Sequence, residues 1–266
     1  MIAKISDVIS LMERLAPLNL AEQWDNAGLQ VGQRDWPVRK ILVALDPAVD
    51  VVAEACKNNV DLLITHHPLI FKPLKSIDFN TPIGSIIQMA VLHKMALFVA
   101  HTNLDSAAEG VNDALAHGIG IKNLKVLGEC KENGQGLGRI GELEKSTDLF
   151  SFALEIKKNL GLKSVKVAGE PGLKIKKVAV CSGSGSGMME YFFSSGAQVY
   201  ISGDLKYHDA RDVEAVNLGL IDIGHFESER LIVGVLQKRL QKELSESGFT
   251  IKVEACGLEK NPFIVL

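Results

Sequence analysis

Short, continuously apolar stretches that alternate with amphipathic stretches constrain the fold of this chain more than any other feature. In the first part of the chain they lie at residues 40–46, 61–65 and 96–101, and the segments between them carry apolar residues at helical spacing. Parallel strands have such uninterrupted runs because helices cover both faces of their sheet. The pattern therefore predicts an α/β fold with mainly parallel central strands.

The same order of elements recurs in the second half of the chain. Apolar runs again alternate with helical patterns there, at residues 177–181, 197–204 and 219–223. A glycine-rich and charged texture from about residue 127 marks a boundary between the halves. We therefore predict two interlinked α/β units. The metal-site unit is discontinuous, with residues 1–126 and 224–266, and the second unit has residues 127–223.

Two adjacent histidines follow the second apolar run. His66 and His67 stand directly before Pro68, whose missing amide hydrogen ends strand pairing. Ligands of open parallel sheets bind at the carboxyl ends of the strands, and neutral imidazole is a common ligand of zinc-like metals. The pair therefore indicates a metal site. The alternative for each ring is a hydrogen-bonded histidine in a loop.

An imidazole and a carboxylate four residues apart follow the third apolar run of each half. The pairs are His101 with Asp105 and His225 with Glu229. Residues four apart share one face of a helix, so the two side chains of a pair can converge. His101 either binds metal or orients Asp105 from outside the ligand set, and we favour the second. The predicted metal ligands at the strand ends are His66, His67, Asp105, His225 and Glu229.

Three imidazoles and two carboxylates are more ligands than one four-coordinate metal keeps when a position stays open for water. Two divalent transition-metal ions fit better, with Glu229 as the predicted bridging carboxylate. Mixed nitrogen and oxygen ligands suit zinc, iron, manganese, cobalt or nickel, so the sequence does not name the metal. The predicted nucleophile is a water between the ions, and the candidates for carrying protons are His101 and Glu227.

Three further segments leave alternatives open. Residues 182–187, rich in glycine, follow a strand but lack both the dinucleotide spacing and the Walker lysine, so they form a phosphate contact or a close-packed turn. Residues 136–141, with Arg139, form a tight hairpin or a phosphate contact, and we favour the hairpin. Trp24 is either a lid over a site or a core anchor. The remaining histidines are assigned to surface or packing roles on predicted helices: His93, His117 and His208.

Composition argues against several classes of partner. A net charge of -3 gives no broad basic face, so nucleic acid is not the expected partner. No apolar stretch approaches the length of a membrane span, and the first residues lack the apolar core of a signal peptide, so we expect a cytoplasmic protein. The four cysteines are far apart and form no Cys-x-x-Cys, which indicates neither a zinc ribbon nor a redox pair.

Five motifs together resemble the Nif-three-like proteins, a family also called GTP cyclohydrolase I type II homologues, and the similarity covers essentially the whole chain. They are Trp24-Asp25-Asn26-x-Gly28-Leu29, Thr65-His66-His67-Pro68, His101-Thr102-x-x-Asp105, Gly138-Arg139-x-Gly141 and Gly224-His225-x-x-Ser228-Glu229. The resemblance implies a dinuclear metal centre with the five ligands named above, in an α/β protein that assembles as a toroidal homohexamer. At 266 residues the chain resembles the short form of the family, without the inserted middle domain of longer members.

The family's label suggests hydrolytic opening of the guanine ring of GTP, which a metal-bound hydroxide would begin by attacking the ring carbon. The sequence itself contains no separate motif for reading guanine. We therefore expect a dinuclear metal-binding protein that hydrolyses GTP or a related nucleotide. The alternatives are a hydrolase of another substrate and a metal-binding scaffold or regulatory partner without turnover.

Overall fold

The computed structural model describes residues 2–130 and 134–265. They form two compact units, each with its own sheet: Met1–Ala107 with Ile232–Glu259, and Ala108–Leu231 with Lys260–Leu266. The helices and strands are, in chain order, α1 (Ile5–Leu15), β1 (Gly28–Val31), β2 (Lys40–Ala44), α2 (Val49–Lys57), β3 (Leu62–Thr65), α3 (Pro82–Leu92), β4 (Ala96–Val99), α4 (Thr102–Ser106), α5 (Val111–Gly118), β5 (Lys122–Val126), β6 (Arg139–Asp148), α6 (Leu149–Asn159), β7 (Lys166–Ala168), β8 (Lys174–Ser184), α7 (Met189–Ser195), β9 (Val199–Gly203), α8 (Tyr207–Ala215), β10 (Gly219–Asp222), α9 (His225–Glu229), α10 (Leu231–Glu246) and β11 (Lys252–Ala255).

The sheet of the first unit has the strand order β1-β4-β3-β2-β11. β2, β3, β4 and β11 run parallel, and β1 pairs antiparallel with β4 at the edge. Every residue of β3 and β4 is buried, as the continuous apolar runs predict. Helices α2 and α3 bury one face of this sheet in a core that includes Val52, Ile86 and Ala90.

The sheet of the second unit has the order β5-β6-β8-β9-β10-β7. Its central strands β8, β9 and β10 are parallel, whereas β5, β6 and β7 pair antiparallel. Each sheet thus contains three neighbouring parallel strands in chain order, with an antiparallel strand beside the third: β1 beside β4, and β7 beside β10. The repeat seen in the sequence extends to strand pairing, and the predicted α/β class is confirmed.

Local sequence determines where several helices begin. Thr81 caps α3, because its hydroxyl oxygen accepts a hydrogen bond from the Gly84 amide at 3.1 Å, and Pro82 occupies the first helical position, where its missing amide hydrogen is tolerated. α1 begins at Ile5, after Lys4, whose amide donates to the Asp7 carboxylate at 2.8 Å. Asp148 caps α6, because its carboxylate accepts a hydrogen bond from the Ser151 amide at 2.8 Å.

The unit bounds differ from those expected at residues 126 and 223. The structure assigns residues 108–126, 224–231 and 260–266 to the second unit. α5 and the residues that follow it bury Leu115, Ala116, Ile119 and Ile121 in the core of that unit, and β5 pairs with β6. α9 packs against β8 and β9 of the same unit. The glycine-rich change of texture near residue 127 is therefore a loop within the second unit.

Candidate metal centre

The first unit brings four predicted site residues to the carboxyl ends of β3 and β4. His66 and His67 directly follow β3, His101 precedes α4, and Asp105 lies within α4. The three imidazoles each have a ligand atom within 4.8 Å of the other two, and His66 Nε2 lies 3.7 Å from Asp105 Oδ1. We call these four residues the first ligand set. Parallel strand ends bring them together, as the sequence predicts.

Each imidazole of this set is oriented through its Nδ1 atom. Nδ1–H donates a hydrogen bond to a fixed oxygen in every case: His66 to the Ala100 carbonyl at 2.9 Å, His67 to Asp46 at 2.8 Å and His101 to Asp25 at 2.8 Å. A carbonyl or carboxylate oxygen can only accept, so these contacts place the proton on Nδ1 and the lone pair on Nε2. Metal-binding histidines have this arrangement, with the second nitrogen held by an oxygen acceptor.

Asp25 is the carboxylate that orients His101. Burial raises its pKa, but hydrogen bonds from His101 and from the hydroxyl and amide of Thr102 outweigh that effect and lower the pKa to about 2. Asp25 is therefore ionised at neutral pH. Its role was missed in the sequence, where only its place in the Trp24-Asp25-Asn26 motif marked it.

Asp46 orients His67 directly, and Glu259 supports Asp46 through the backbone. The Glu259 carboxylate accepts hydrogen bonds from the amide of Leu45 at 2.9 Å and from that of Asp46 at 2.7 Å. These bonds fix the backbone just beyond β2, from which the Asp46 side chain reaches His67. Burial raises the pKa of Glu259. No motif or spacing in the sequence marks this residue, which is remote from every motif.

The second unit carries the other two predicted ligands on one helical turn. His225 and Glu229 lie on α9, and His225 Nε2 is 3.1 Å from Glu229 Oε2. Asp204, after β9, accepts a hydrogen bond from His225 Nδ1 at 2.7 Å. Glu229 is only 3% exposed. We call His225 and Glu229 the second ligand set, and their spacing of four residues makes them neighbours as predicted.

Glycines allow α9 to approach the strand ends closely. A Cβ atom at Gly183 would overlap the Glu229 carboxylate, and one at Gly203 would lie 2.5 Å from the His225 amide nitrogen. Two amides of the glycine-rich loop are engaged by side chains of the protein: Ser182 donates to Asn112, and Gly183 donates to Ser228, each at 2.8 Å. These contacts support the close-packed turn at residues 182 and 183.

Comparison with known proteins identifies the family. The family model described as Duf34/NIF3 (NGG1p interacting factor 3) matches residues 3–262. The chain belongs to the Duf34/NIF3 family. It is similar to proteins named GTP cyclohydrolase 1 type 2 homolog from Clostridium perfringens, at 35% identity over 98% of both chains, and from Clostridium acetobutylicum, at 34% identity over 94% of both chains. The crystal structure of a Bacillus cereus protein related to NIF3 matches with a TM-score of 0.93 at 27% identity and covers 100% of each chain.

The family identification confirms the resemblance seen in the five motifs. Arg139 of the fourth motif lies at the start of β6 and is buried, with its guanidinium on Asp113 at 2.8 Å and on the carbonyl oxygens of Gly136 and Gly138. Glu227, a predicted proton carrier, accepts hydrogen bonds from Asn261 at 2.8 and 2.9 Å.

Within residues 2–130 and 134–265, no helix combines the length and the apolar character needed to cross a membrane.

The other residues left open by the sequence have definite places. Trp24 is 60% exposed, so it is not a core anchor. His93 is exposed directly after α3, where its Nδ1 donates to the Met89 carbonyl at 2.9 Å. His117 and His208 lie on α5 and α8, as predicted.

Proposed function

We propose that this member of the Duf34/NIF3 family is a dinuclear metal protein that hydrolyses GTP or a related nucleotide. The observation that carries the proposal is the geometry of the first ligand set. Nδ1 of each of its three imidazoles is held by a hydrogen bond, and each imidazole has a ligand atom within 4.8 Å of ligand atoms of the other two. The donor chemistry suits divalent transition metals, among them zinc, iron, manganese, cobalt and nickel. That the second ligand set binds the same pair of ions rests on the family resemblance alone.

The ligands in this proposal are the five predicted residues, and His101 joins them. In His101, as in His66 and His67, Nδ1 is held by an oxygen acceptor, and a ligand atom lies within 4.8 Å of ligand atoms of the other two imidazoles. This geometry supports the ligand role that the sequence left open for His101. Glu229 remains the proposed bridging carboxylate. Its burial supports that role, because a carboxylate 3% exposed needs cations or hydrogen-bond donors around it.

Two bound ions would supply the acidity, since a metal can lower the pKa of water from 15.7 to about 7. The protein's own residues would orient the ligands and carry the proton. Asp25 and Asp46 keep the imidazoles in the tautomer that binds metal, and Glu227 is the proposed proton carrier beside His225. The nucleotide substrate is suggested by the name of the Clostridium relatives.

Metal analysis after dialysis tests the metal centre. We expect two ions per chain in the wild type and a loss in His66→Ala and in Glu229→Ala. His93→Ala is the matched control, because His93 is an exposed imidazole at the end of a helix in the same unit as His66. One ion or none per chain, unchanged in His66→Ala and Glu229→Ala, would refute the dinuclear site.

Hydrolysis by the metal-loaded protein tests the activity. We expect turnover of GTP or of another nucleotide in a screen, and loss of that turnover in Glu229→Gln with the fold retained. A protein that binds both ions and turns over none of the nucleotides would be a metal-binding scaffold or regulatory partner instead.

Light scattering tests the homohexamer, which is likewise proposed from the family resemblance. A monomer at micromolar concentration would contradict it.

A further inference from the structure

Two exposed aromatic rings stand beside the first ligand set. Trp24 is 60% exposed and Phe71 is 48% exposed, and their ring centroids lie 5.8 Å apart. Each ring also meets the His101 imidazole edge to face, with centroid distances of 6.1 Å for Trp24 and 6.4 Å for Phe71. We call Trp24 and Phe71 the aromatic pair. It lies entirely within the first unit, in direct contact with a proposed metal ligand.

Hydrogen bonds between two loops hold the aromatic pair in place. Asn26 donates to the Ile70 carbonyl at 2.5 Å, Gln30 donates to the same carbonyl at 3.2 Å, and the Ile70 amide donates to the Gln30 side-chain oxygen at 2.8 Å. Asp25, next to Trp24, is fixed by Thr102 and His101. The loops that carry Trp24 and Phe71 are therefore tied together, so the exposed rings are preorganised.

The angle between the two rings suits a planar ligand. Their planes meet at 65°, which forms a corner open to solvent. Aromatic rings prefer offset stacking or an edge-to-face contact, so a third ring can stack on one wall of the corner and present its edge to the other. The segment that carries Phe71 also carries the exposed residues Lys72 and Lys75, whose positive charges favour an anionic ligand.

We propose that the aromatic pair is a stacking subsite for the heteroaromatic ring of a nucleotide. The subsite deepens the proposed function and rests on it for the chemistry that follows binding, whereas binding itself rests on the aromatic pair. Stacking tolerates different bases because every base has a π-face. The subsite therefore recognises the presence of a planar ring, and it does not by itself distinguish guanine from adenine.

Tryptophan fluorescence of the metal-free protein tests the subsite without any turnover. The chain has two tryptophans, so Trp36→Phe leaves Trp24 as the single reporter. We expect GMP and AMP to quench this fluorescence with saturation, because a stacked base contacts the indole directly. Ribose 5-phosphate, which has the phosphate and sugar but no ring, should not quench it.

Equilibrium dialysis with GMP then compares variants of the chain. Trp24→Ala and Phe71→Ala should each weaken GMP binding about tenfold or more, the loss expected for one base–aromatic stack. Trp24→Phe should recover most of the affinity. Phe79→Ala is the matched control, because Phe79 is equally exposed at 52% and lies in the same unit outside the aromatic pair, so binding should be unchanged.

Three results would overturn the proposal. The first is that the wild type binds neither GMP nor AMP, the second is that Trp24→Ala and Phe71→Ala bind GMP as tightly as the wild type, and the third is a change of oligomeric mass in these two variants. The last would identify the aromatic pair as a contact between copies of the chain. Failure of the proposed function has a different signature. In that case metal is absent or no nucleotide is hydrolysed, while GMP still quenches Trp24 in the metal-free protein.

Discussion

The two ligand sets are organised by different physical means. In the first set, three imidazoles from two strand ends are oriented by acceptors on separate segments: Ala100, Asp46 and Asp25. In the second set, two ligands on a single helical turn sit against glycines that leave no room for a Cβ atom. The first set therefore depends on charge and hydrogen bonding. The second combines one such hydrogen bond, from His225 to Asp204, with close packing against glycines.

This difference predicts which substitutions each set tolerates. Changing an acceptor removes an orienting hydrogen bond but leaves the backbone in place, so the imidazole can still reach a metal in a less favourable tautomer. Adding a methyl group under Glu229 displaces its buried carboxylate, because the new Cβ atom would overlap Oε1 of that side chain. We therefore expect the largest effects in the second set.

Gly183→Ala should have the largest effect. The new Cβ would overlap the Glu229 carboxylate, and Gly183 has a φ of +64°, which disfavours any other residue. We expect a fall of about 1–3 kcal/mol in the free energy of unfolding and a loss of bound metal. Denaturant unfolding and metal analysis measure both.

Gly187→Ala is the matched control within the same loop. A Cβ atom there has no neighbour within 4 Å, so stability and metal content should stay near those of the wild type. Equal behaviour of Gly183→Ala and Gly187→Ala would show that packing does not position Glu229, and the contrast between the two sets would fail.

Asp25→Asn should have the next largest effect. The amide cannot carry the negative charge that stabilises the Nδ1–H tautomer of His101, and such orienting partners typically contribute 10–100-fold to metal affinity. We expect a loss of about that size in a competition assay with a metal chelator. Asp35→Asn, an exposed aspartate of the same unit, is the control. Unchanged affinity in Asp25→Asn would argue against His101 as a ligand.

The sequence predicted the fold through features that are local. Continuous apolar runs identified the buried strands, and residues four apart identified neighbours on one helical turn, because both depend only on spacing along the chain. β7 was not predicted, since its residues are mostly exposed and form no apolar run. β5 was missed for the same reason.

The residues that orient the ligands could not be found from spacing. Asp25 lies 76 positions before His101, and Glu259 lies 214 positions after Leu45, so only the folded chain brings them together. The glycine-rich loop was ambiguous for another reason. A phosphate loop and a close-packed turn both require glycine where another backbone or a carboxylate approaches, and sequence alone does not say which group approaches.

The acid stability of the metal-free protein should reveal the charge of Asp25. Its pKa of about 2 in the folded protein is below the ordinary value of 3.8, so its ionised form stabilises the fold above pH 3.8. That contribution is lost as the pH falls from 3.8 through about 2. We expect the unfolding free energy of Asp25→Asn to fall less steeply over this window than that of the wild type. Parallel pH profiles would mean that Asp25 is not stabilised in its ionised form.

Glu259→Gln should have the smallest effect, because Glu259 acts on the first ligand set only through the backbone. Its carboxylate holds the amides of Leu45 and Asp46, and the glutamine oxygen can keep at least one of these hydrogen bonds. We expect a cost of about 0.5–1.5 kcal/mol in stability and a loss of metal affinity smaller than that of Asp25→Asn. Glu259→Ala, which removes both acceptors, should lose more of each. If Glu259→Gln and Glu259→Ala bind metal like the wild type, the backbone after β2 holds Asp46 against His67 without the Glu259 carboxylate. Orientation of the first ligand set would then need only the residues in direct contact with its imidazoles.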